Sequence, residues 1–205
     1  MQFDVYLFDF DGTLVDSRES LLPVFKAGYA SVGRDVTAEE AERWMHLNLY
    51  ESMADSGIPE SQFETVIKAT VAALDLPESL AMIKPFPEAL ENLDRLRKQG
   101  VRIGIVSNNT ASHIKLALHT MGIGFPFDVI VGSDMFEHGK PSSQPIDVAL
   151  ELLGYHDRSK VVYVGDSLQD PECAKNASIG GVLVDREDLY PDFKGTRVRN
   201  LNEIE

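Results

Sequence analysis

The stretch Asp9-Phe10-Asp11-Gly12-Thr13-Leu14-Val15-Asp16-Ser17 decides how this chain is read. It follows an apolar run, Val5-Tyr6-Leu7-Phe8, that reads as a buried β-strand. Two carboxylates, Asp9 and Asp11, therefore stand two residues apart where a strand ends and a turn begins. Ligands of open α/β sheets bind beyond the carboxyl ends of the strands, and a pair of acids there can hold a hard cation and do chemistry. An ordinary Asx-rich turn, with Gly12 supplying an unusual φ, would leave the same trace. The other strand ends have to decide.

From about residue 87 onward, strand and helix signals alternate. Pro87 opens a helix with apolar positions Ala89, Leu90, Leu93 and Leu96, basic residues in its last turn, and a stop at Gly100. Val101 to Val106 reads as strand, Thr110 to Met121 as helix, Asp128 to Val131 as strand and Pro145 to Leu153 as helix. Val161 to Val164, Pro171 to Ala177 and Gly181 to Val184 continue the pattern as strand, helix and strand. With the first strand this predicts a five-stranded, Rossmann-like doubly wound parallel sheet, an α/β fold. Arg197 to Leu201 is a candidate edge strand.

Residues 17–83 break that alternation with helical signals only. Thr37-Ala38-Glu39-Glu40 and Ser61-Gln62-Phe63-Glu64 both have the capping-box pattern, and Phe63, Val66, Ile67, Thr70, Val71 and Leu74 recur at helical spacing. The expected organisation is a core of residues 1–16 and 84–205 and an inserted α-helical cap domain of residues 17–83. Entering directly after the two-aspartate turn, the insert is a candidate lid. A helical decoration remote from the site is the alternative.

At the end of Val101–Val106 stand Ser107-Asn108-Asn109, a hydroxyl and backbone N–H groups where a helix begins, which suits an anion. After Asp128–Val131 comes Gly139-Lys140-Pro141, and after Val161–Val164 comes Gly165-Asp166-Ser167-Leu168-Gln169-Asp170. Each of these alone is also a common turn, cap or solvated lysine. Together they put four acids, a serine and a lysine at the same end of four strands.

In order and spacing, Asp9-Phe10-Asp11-Gly12-Thr13, Ser107, Lys140-Pro141 and Gly165-Asp166-Ser167-Leu168-Gln169-Asp170 resemble the four-motif set of the haloacid dehalogenase superfamily. The likeness spans nearly the whole chain, and the helical insert resembles that superfamily's small cap. The subgroup it most resembles contains the phosphoglycolate phosphatase and β-phosphoglucomutase relatives. The resemblance implies phosphoryl transfer with Asp9 as nucleophile and Asp11 as general acid and base. It implies Mg²⁺ held by Asp9, the backbone carbonyl of Asp11 and Asp166, and phosphate held by Ser107, Lys140 and the N–H near Asn108. Asp170 is expected to steady Lys140 or a metal-bound water.

The acid at Asp11 separates this chain from dehalogenating and phosphonate-cleaving relatives, which lack it. Mutase relatives often carry an acid where this chain has Gly165 and often lack the acid seen as Asp170, so those two positions favour a phosphatase. A phosphomutase is the alternative; a non-catalytic phospholigand-binding protein is a third reading, opposed by the presence of Asp9, Asp11, Lys140 and Asp166. Asn176-Ala177-Ser178-Ile179-Gly180 departs from the usual Ala-Gly pattern, a difference expected to concern packing. In the insert, Arg43, His46 and Asn48 are candidate substrate contacts, while Trp44, Leu47 and Leu49 read as core of the insert.

Composition bounds the partners. The chain has 205 residues, 43% of them hydrophobic, enough for a real core, and a formal net charge of −14. Such acidity argues against a nucleic-acid or anionic membrane partner; a small phosphorylated metabolite is the partner the resemblance implies, and its attraction has to come from local charge such as a metal, a lysine or helix N-termini. The single cysteine, Cys173, excludes an internal disulfide and suits a reducing cytoplasm. No secretory leader or membrane-spanning run is legible. The other histidines, His113, His119, His138 and His156, show no zinc-ligand spacing.

Overall fold

The structure is a computed structural model that describes residues 3–44, 47 and 49–204. Its elements run β1 (Val5–Phe8), β2 (Val15–Asp16), α1 (Arg18–Ala30), α2 (Ala38–Trp44), α3 (Leu49–Ser56), α4 (Phe63–Leu74), α5 (Pro77–Leu80) and β3 (Lys84–Pro85). There follow α6 (Pro87–Lys98), β4 (Arg102–Val106), α7 (Ala111–Thr120), β5 (Val129–Val131), α8 (Gln144–Leu153), β6 (Val161–Gly165), α9 (Gln169–Asn176), β7 (Gly180–Val184) and β8 (Thr196–Val198). The chain divides into two compact units, residues 1–16 with 85–205 and residues 17–84.

The first unit holds a six-stranded sheet in the order β5-β4-β1-β6-β7-β8, parallel throughout. The fold class is the α/β one expected from the alternation, and the candidate edge strand supplies the sixth member as Thr196–Val198. Strand β1 is wholly buried, as a four-residue apolar run with neighbours on both sides has to be. Its side chains alternate between faces. Val5 and Leu7 pack with Ile146, Ala149 and Leu150 of α8 and Cys173 and Ala174 of α9. Tyr6 and Phe8 point the other way, their rings stacked 6.5 Å apart.

The strand order places a switch point beside β1. After β1 the chain builds β4 and β5 on one side, then crosses to build β6, β7 and β8 on the other. In open α/β sheets the loops part at such a point and ligands collect beyond the carboxyl ends of the flanking strands, here β1 and β6.

The second unit is helical. Trp44 is fully buried, stacked on Tyr29 at 5.0 Å and meeting the edge of Phe25 at 5.6 Å. Leu49 packs against this core, but Leu47, expected inside, is 38% exposed. The capping box at Thr37 forms: Glu40 N–H donates to Thr37 Oγ1 at 3.2 Å, and Thr37 N–H donates to Glu40 Oε2 at 2.9 Å. The one at Ser61 does not set a helix start, because Glu60–Gln62 is a 3₁₀ turn and α4 begins at Phe63. Pro59 opens that turn and its carbonyl accepts Gln62 N–H at 2.9 Å, which pulls Ser61 inside the turn rather than leaving it at a cap.

The departure at Asn176–Gly180 proves conformational as well as one of packing. Ser178 has φ +58°, the left-handed region that glycine enters without steric penalty. Relief of about 1–2 kcal/mol of strain outweighs the roughly 0.5–1 kcal/mol of extra unfolded-chain entropy that glycine brings. Ser178→Gly is therefore expected to raise the free energy of unfolding by up to about 1 kcal/mol in chemical denaturation.

Candidate active site

Asp9 is the first residue past β1 and is buried. Its N–H continues the ladder by donating to Val164 O at 2.8 Å, so the carboxylate is delivered at the sheet's edge on a rigid stem. One carboxylate oxygen, Oδ1, accepts Phe10 N–H at 2.8 Å; the other, Oδ2, lies 2.7 Å from Lys140 Nζ. The same ammonium reaches Asp170 Oδ1 at 2.7 Å. Asp170 sits in the first turn of α9, fully buried, with its Oδ2 accepting both Ser167 N–H and Ser167 Oγ–H at 2.9 Å. Beneath the lysine lies the ring of Tyr163, whose centroid is 5.8 Å from Nζ and whose hydroxyl donates to Val106 O at 2.7 Å.

Asp166 follows β6, and its Oδ1 accepts the Thr13 hydroxyl at 3.1 Å. Carboxylate oxygens of Asp9, Asp166 and Asp170 lie within 4.8 Å of one another. Gly12 leaves the room that the Asp166 carboxylate occupies. It has φ +74°, and a Cβ on it would stand 2.2 Å from Asp166 Oδ2. The turn itself is closed by Leu14 N–H and Val15 N–H on Phe10 O, at 2.9 and 3.1 Å.

Burial raises the pKa of Asp9, the negative charges of Asp170 and Asp166 raise it further, and Lys140 opposes both. Asp166 is also raised, first by burial and then by Asp170. For Lys140, burial works against the charge, but Asp170 and Asp9 outweigh it and hold the ammonium above the usual lysine range. One cation thus faces three crowded carboxylates. That excess of negative charge, presented through hard oxygen donors, fits a divalent cation such as Mg²⁺. Asp170 is the most heavily engaged of the three, with Oδ1 on Lys140 and Oδ2 accepting two hydrogen bonds from Ser167, whereas each Asp9 oxygen has one contact and Asp166 Oδ1 accepts the Thr13 hydroxyl.

Ser107 ends β4 in a buried position, its Oγ accepting Asn109 N–H at 3.1 Å. Asn108 sends its side chain elsewhere than a phosphate pocket alone would suggest. Its Oδ1 accepts Lys140 N–H at 2.9 Å and so orients the loop that carries the lysine. Gly139 leaves room for this, since a Cβ there would lie 2.6 Å from Asn108 Oδ1. Asp11 receives Asn109 Nδ2 on its Oδ2 at 3.3 Å.

In the helical unit, Arg43 is engaged by Asp55, whose Oδ2 accepts from Arg43 Nε at 3.0 Å, from Arg43 NH2 at 2.7 Å and from Trp44 Nε1 at 2.7 Å. This side chain ties α2 to α3. His46 and Asn48 lie outside the described residues.

Arg186, just past β7, escaped the sequence reading. Its guanidinium donates to Gly12 O at 3.3 Å and Thr13 O at 3.2 Å, pairs with Glu88 at 2.7 Å and covers the ring of Phe86 at 3.8 Å. It holds the two-aspartate turn from behind. The signal in the sequence is the charged pair Asp185-Arg186 directly after the apolar run that ends at Val184.

A model of the haloacid dehalogenase-like hydrolase family matches residues 6–184. The chain belongs to this family. The resemblance seen in the motifs is thereby confirmed, and the protein is a hydrolase by membership. Among curated relatives it is similar to pyrophosphatase PpaX of Bacillus velezensis, with 31% identity covering 83% of this chain and 78% of that protein. It is also similar to a phosphoglycolate phosphatase of Aquifex aeolicus, with 29% identity covering 98% of this chain and 95% of that protein. Among solved structures, one from Bacteroides fragilis named as a haloacid dehalogenase-like hydrolase superposes with TM-score 0.84 at 28% identity over 96% of each chain.

Within this hydrolase the Lys140 ammonium is the counter-charge shared by the buried Asp9 and Asp170 carboxylates. Lys140→Met leaves the Asp9 and Asp170 carboxylates buried without their counter-charge. The expected loss in unfolding free energy is about 3–5 kcal/mol, measured by chemical denaturation at neutral pH without added metal.

Proposed function

We propose that the protein is a Mg²⁺-dependent phosphatase that hydrolyses a small phosphomonoester through an aspartyl-phosphate intermediate. The observation that carries this reading is the Asp9 carboxylate, buried at the end of β1 with Lys140 Nζ 2.7 Å away and Asp166 beside it. A carboxylate held on a rigid stem next to a fixed cation is a nucleophile suited to an anionic electrophile.

In the first step an Asp9 oxygen forms a bond to phosphorus. The bond to the leaving oxygen breaks, that oxygen keeps the electron pair, and Asp11 supplies its proton. In the second, Asp11 takes a proton from water as the water oxygen bonds to phosphorus. The Asp9–phosphorus bond breaks, returning the carboxylate and releasing inorganic phosphate. Ser107 and Lys140 hold the phosphoryl oxygens, and Asp170 keeps Lys140 charged and in place. Asp9, Asp166 and the backbone carbonyl of Asp11 would hold Mg²⁺. Bound there, the ion offsets the repulsion between Asp9 and a phosphate dianion. We assign residues 17–83 the role of cap and the remainder that of catalytic core.

Phosphatase rather than mutase chemistry is supported by the crowding at Gly165. A Cβ there would lie 2.1 Å from Asp170 Cγ, so a side chain at 165 and the Asp170 carboxylate exclude each other. The phosphatase name of the Aquifex aeolicus relative agrees with this reading. Hydrolysis of pyrophosphate is a second reading, favoured by the likeness to PpaX. The free, buried Cys173 suits a cytoplasmic setting, and among the described residues no helix is long and apolar enough to cross a membrane.

The test is phosphate release from a panel containing phosphoglycolate, sugar phosphates, nucleoside monophosphates and pyrophosphate. Turnover is expected to stop on chelation of divalent metal and to return with Mg²⁺. Asp9→Asn is expected to lower it by about 10³-fold or more, as removal of a nucleophile does. Release that survives Asp9→Asn at the wild-type rate would sink the covalent route. Release from pyrophosphate alone would select the second reading.

A further inference from the structure

We propose that Asn109 is a positioning residue that directs the proton of Asp11 toward the leaving group. This rests on the reading of Asp11 as the general acid.

The Asn109 amide is oriented by its own backbone surroundings. Its Oδ1 accepts Thr110 N–H at 2.9 Å, which decides which end of the amide is oxygen. The NH₂ end therefore faces Asp11, with Nδ2 at 3.3 Å from Oδ2. The segment that carries it is clamped from the neighbouring strand end. Ser133 N–H donates to Asn109 O at 2.8 Å, and Asp134 Oδ1 accepts Ala111 N–H at 2.7 Å. Gly132 permits this close approach: a Cβ there would stand 2.0 Å from Ala111 N and 2.7 Å from Asn109 O. On the other side, Thr110 Oγ1 caps α7 by accepting His113 N–H at 3.1 Å. The donor is thus part of a locked turn.

The chemical consequence follows from the amide having no acceptor on that side. An NH₂ group can only donate, and a carbonyl-type carboxyl oxygen accepts better than a hydroxyl-type one, so the contact favours Asp11 Oδ2 as the unprotonated oxygen. When Asp11 carries its proton, the proton is thereby biased toward Oδ1. A general acid is effective only if its proton points at the oxygen that needs it, and this contact selects one of two otherwise equivalent oxygens. Without it the proton is shared between both oxygens and the carboxyl can rotate.

The experiment compares two probes with the full chain and Mg²⁺. In p-nitrophenyl phosphate the leaving group departs as a stable anion without help. In glycerol 2-phosphate it departs as an alkoxide that needs a proton. The quantity is kcat/KM, which ends at transfer to Asp9 and so contains the leaving-group step but not the later hydrolysis. For Asn109→Ala, kcat/KM on glycerol 2-phosphate is expected to fall about 10–100-fold, part of what a general acid contributes, while the value on p-nitrophenyl phosphate stays within about threefold. Asn109→Asp keeps the size of the side chain and the acceptor for Thr110 but turns an acceptor toward Asp11. It is expected to show the same selectivity, and it serves as the test if the alanine variant unfolds.

An equal fall on both probes would overturn the inference, since it indicates a direct hold on the phosphoryl group or general damage. No fall on either would also overturn it. If the wild type hydrolyses neither these probes nor any phosphomonoester of the panel above, or Asp9→Asn hydrolyses them at the wild-type rate, the phosphatase reading fails and takes this inference with it. An enzyme that depends on Asp9 but shows no leaving-group selectivity in the Asn109 variants refutes the role of Asn109 alone.

Discussion

The site is organised by one buried ammonium held between two carboxylates. Lys140 Nζ stands 2.7 Å from both Asp9 and Asp170. Taking such charges out of water is costly, and it is tolerable only when the partners are fixed and their remaining lone pairs are satisfied. The surroundings meet that condition in detail. Asp9 is fixed by its ladder bond to β6, Asp170 by the Ser167 N–H and hydroxyl, and the lysine's backbone by Asn108. Several features that look local are requirements of this arrangement, including the absence of side chains at Gly139 and Gly165.

The parallel sheet makes this possible. Its strands deliver their following residues to one edge, and β1 lies where chain direction reverses between β4 and β6. Asp9 and Asp166 directly follow the two strands that meet at that switch point, and Ser107 directly follows the next strand out. Because the strands are buried on both faces, their ends are held by the whole hydrophobic core, and groups mounted on them are placed more firmly than groups on free loops. A compact helical unit inserted directly after the two-aspartate turn leaves the sheet's connections intact, since the chain leaves after Val15–Asp16 and returns at Lys84–Pro85.

Much of this was legible in the chain because it is written in local terms. Apolar runs bounded by glycine or proline mark strands and helices, and acids, serine and lysine directly after those runs mark the edge on which chemistry collects. Asp9, Asp11, Ser107, Lys140, Asp166 and Asp170 could be picked out for that reason. The capping box at Thr37 was also readable, because both partners lie on one turn. The box at Ser61 has the same letters and failed, because Pro59 closes a 3₁₀ turn that takes Ser61 inside it. Whether the pattern forms depends on the backbone path before it.

The alternation of strand and helix, the helical insert and the acids, serine and lysine that follow the strands are all written in the chain itself. These depend on neighbours in the chain, where periodicity and spacing act directly. Which of these polar groups meets which is set by the fold. Asn108 turns to Lys140 while Asn109 turns to Asp11, Arg186 grips a turn more than 170 residues away, and Arg43 is taken up by Asp55. The physical reason is that a polar side chain's partner is set by strand order and packing, which bring together groups with no relation in sequence, and a buried donor or ion must find its partner among whatever the fold has placed beside it.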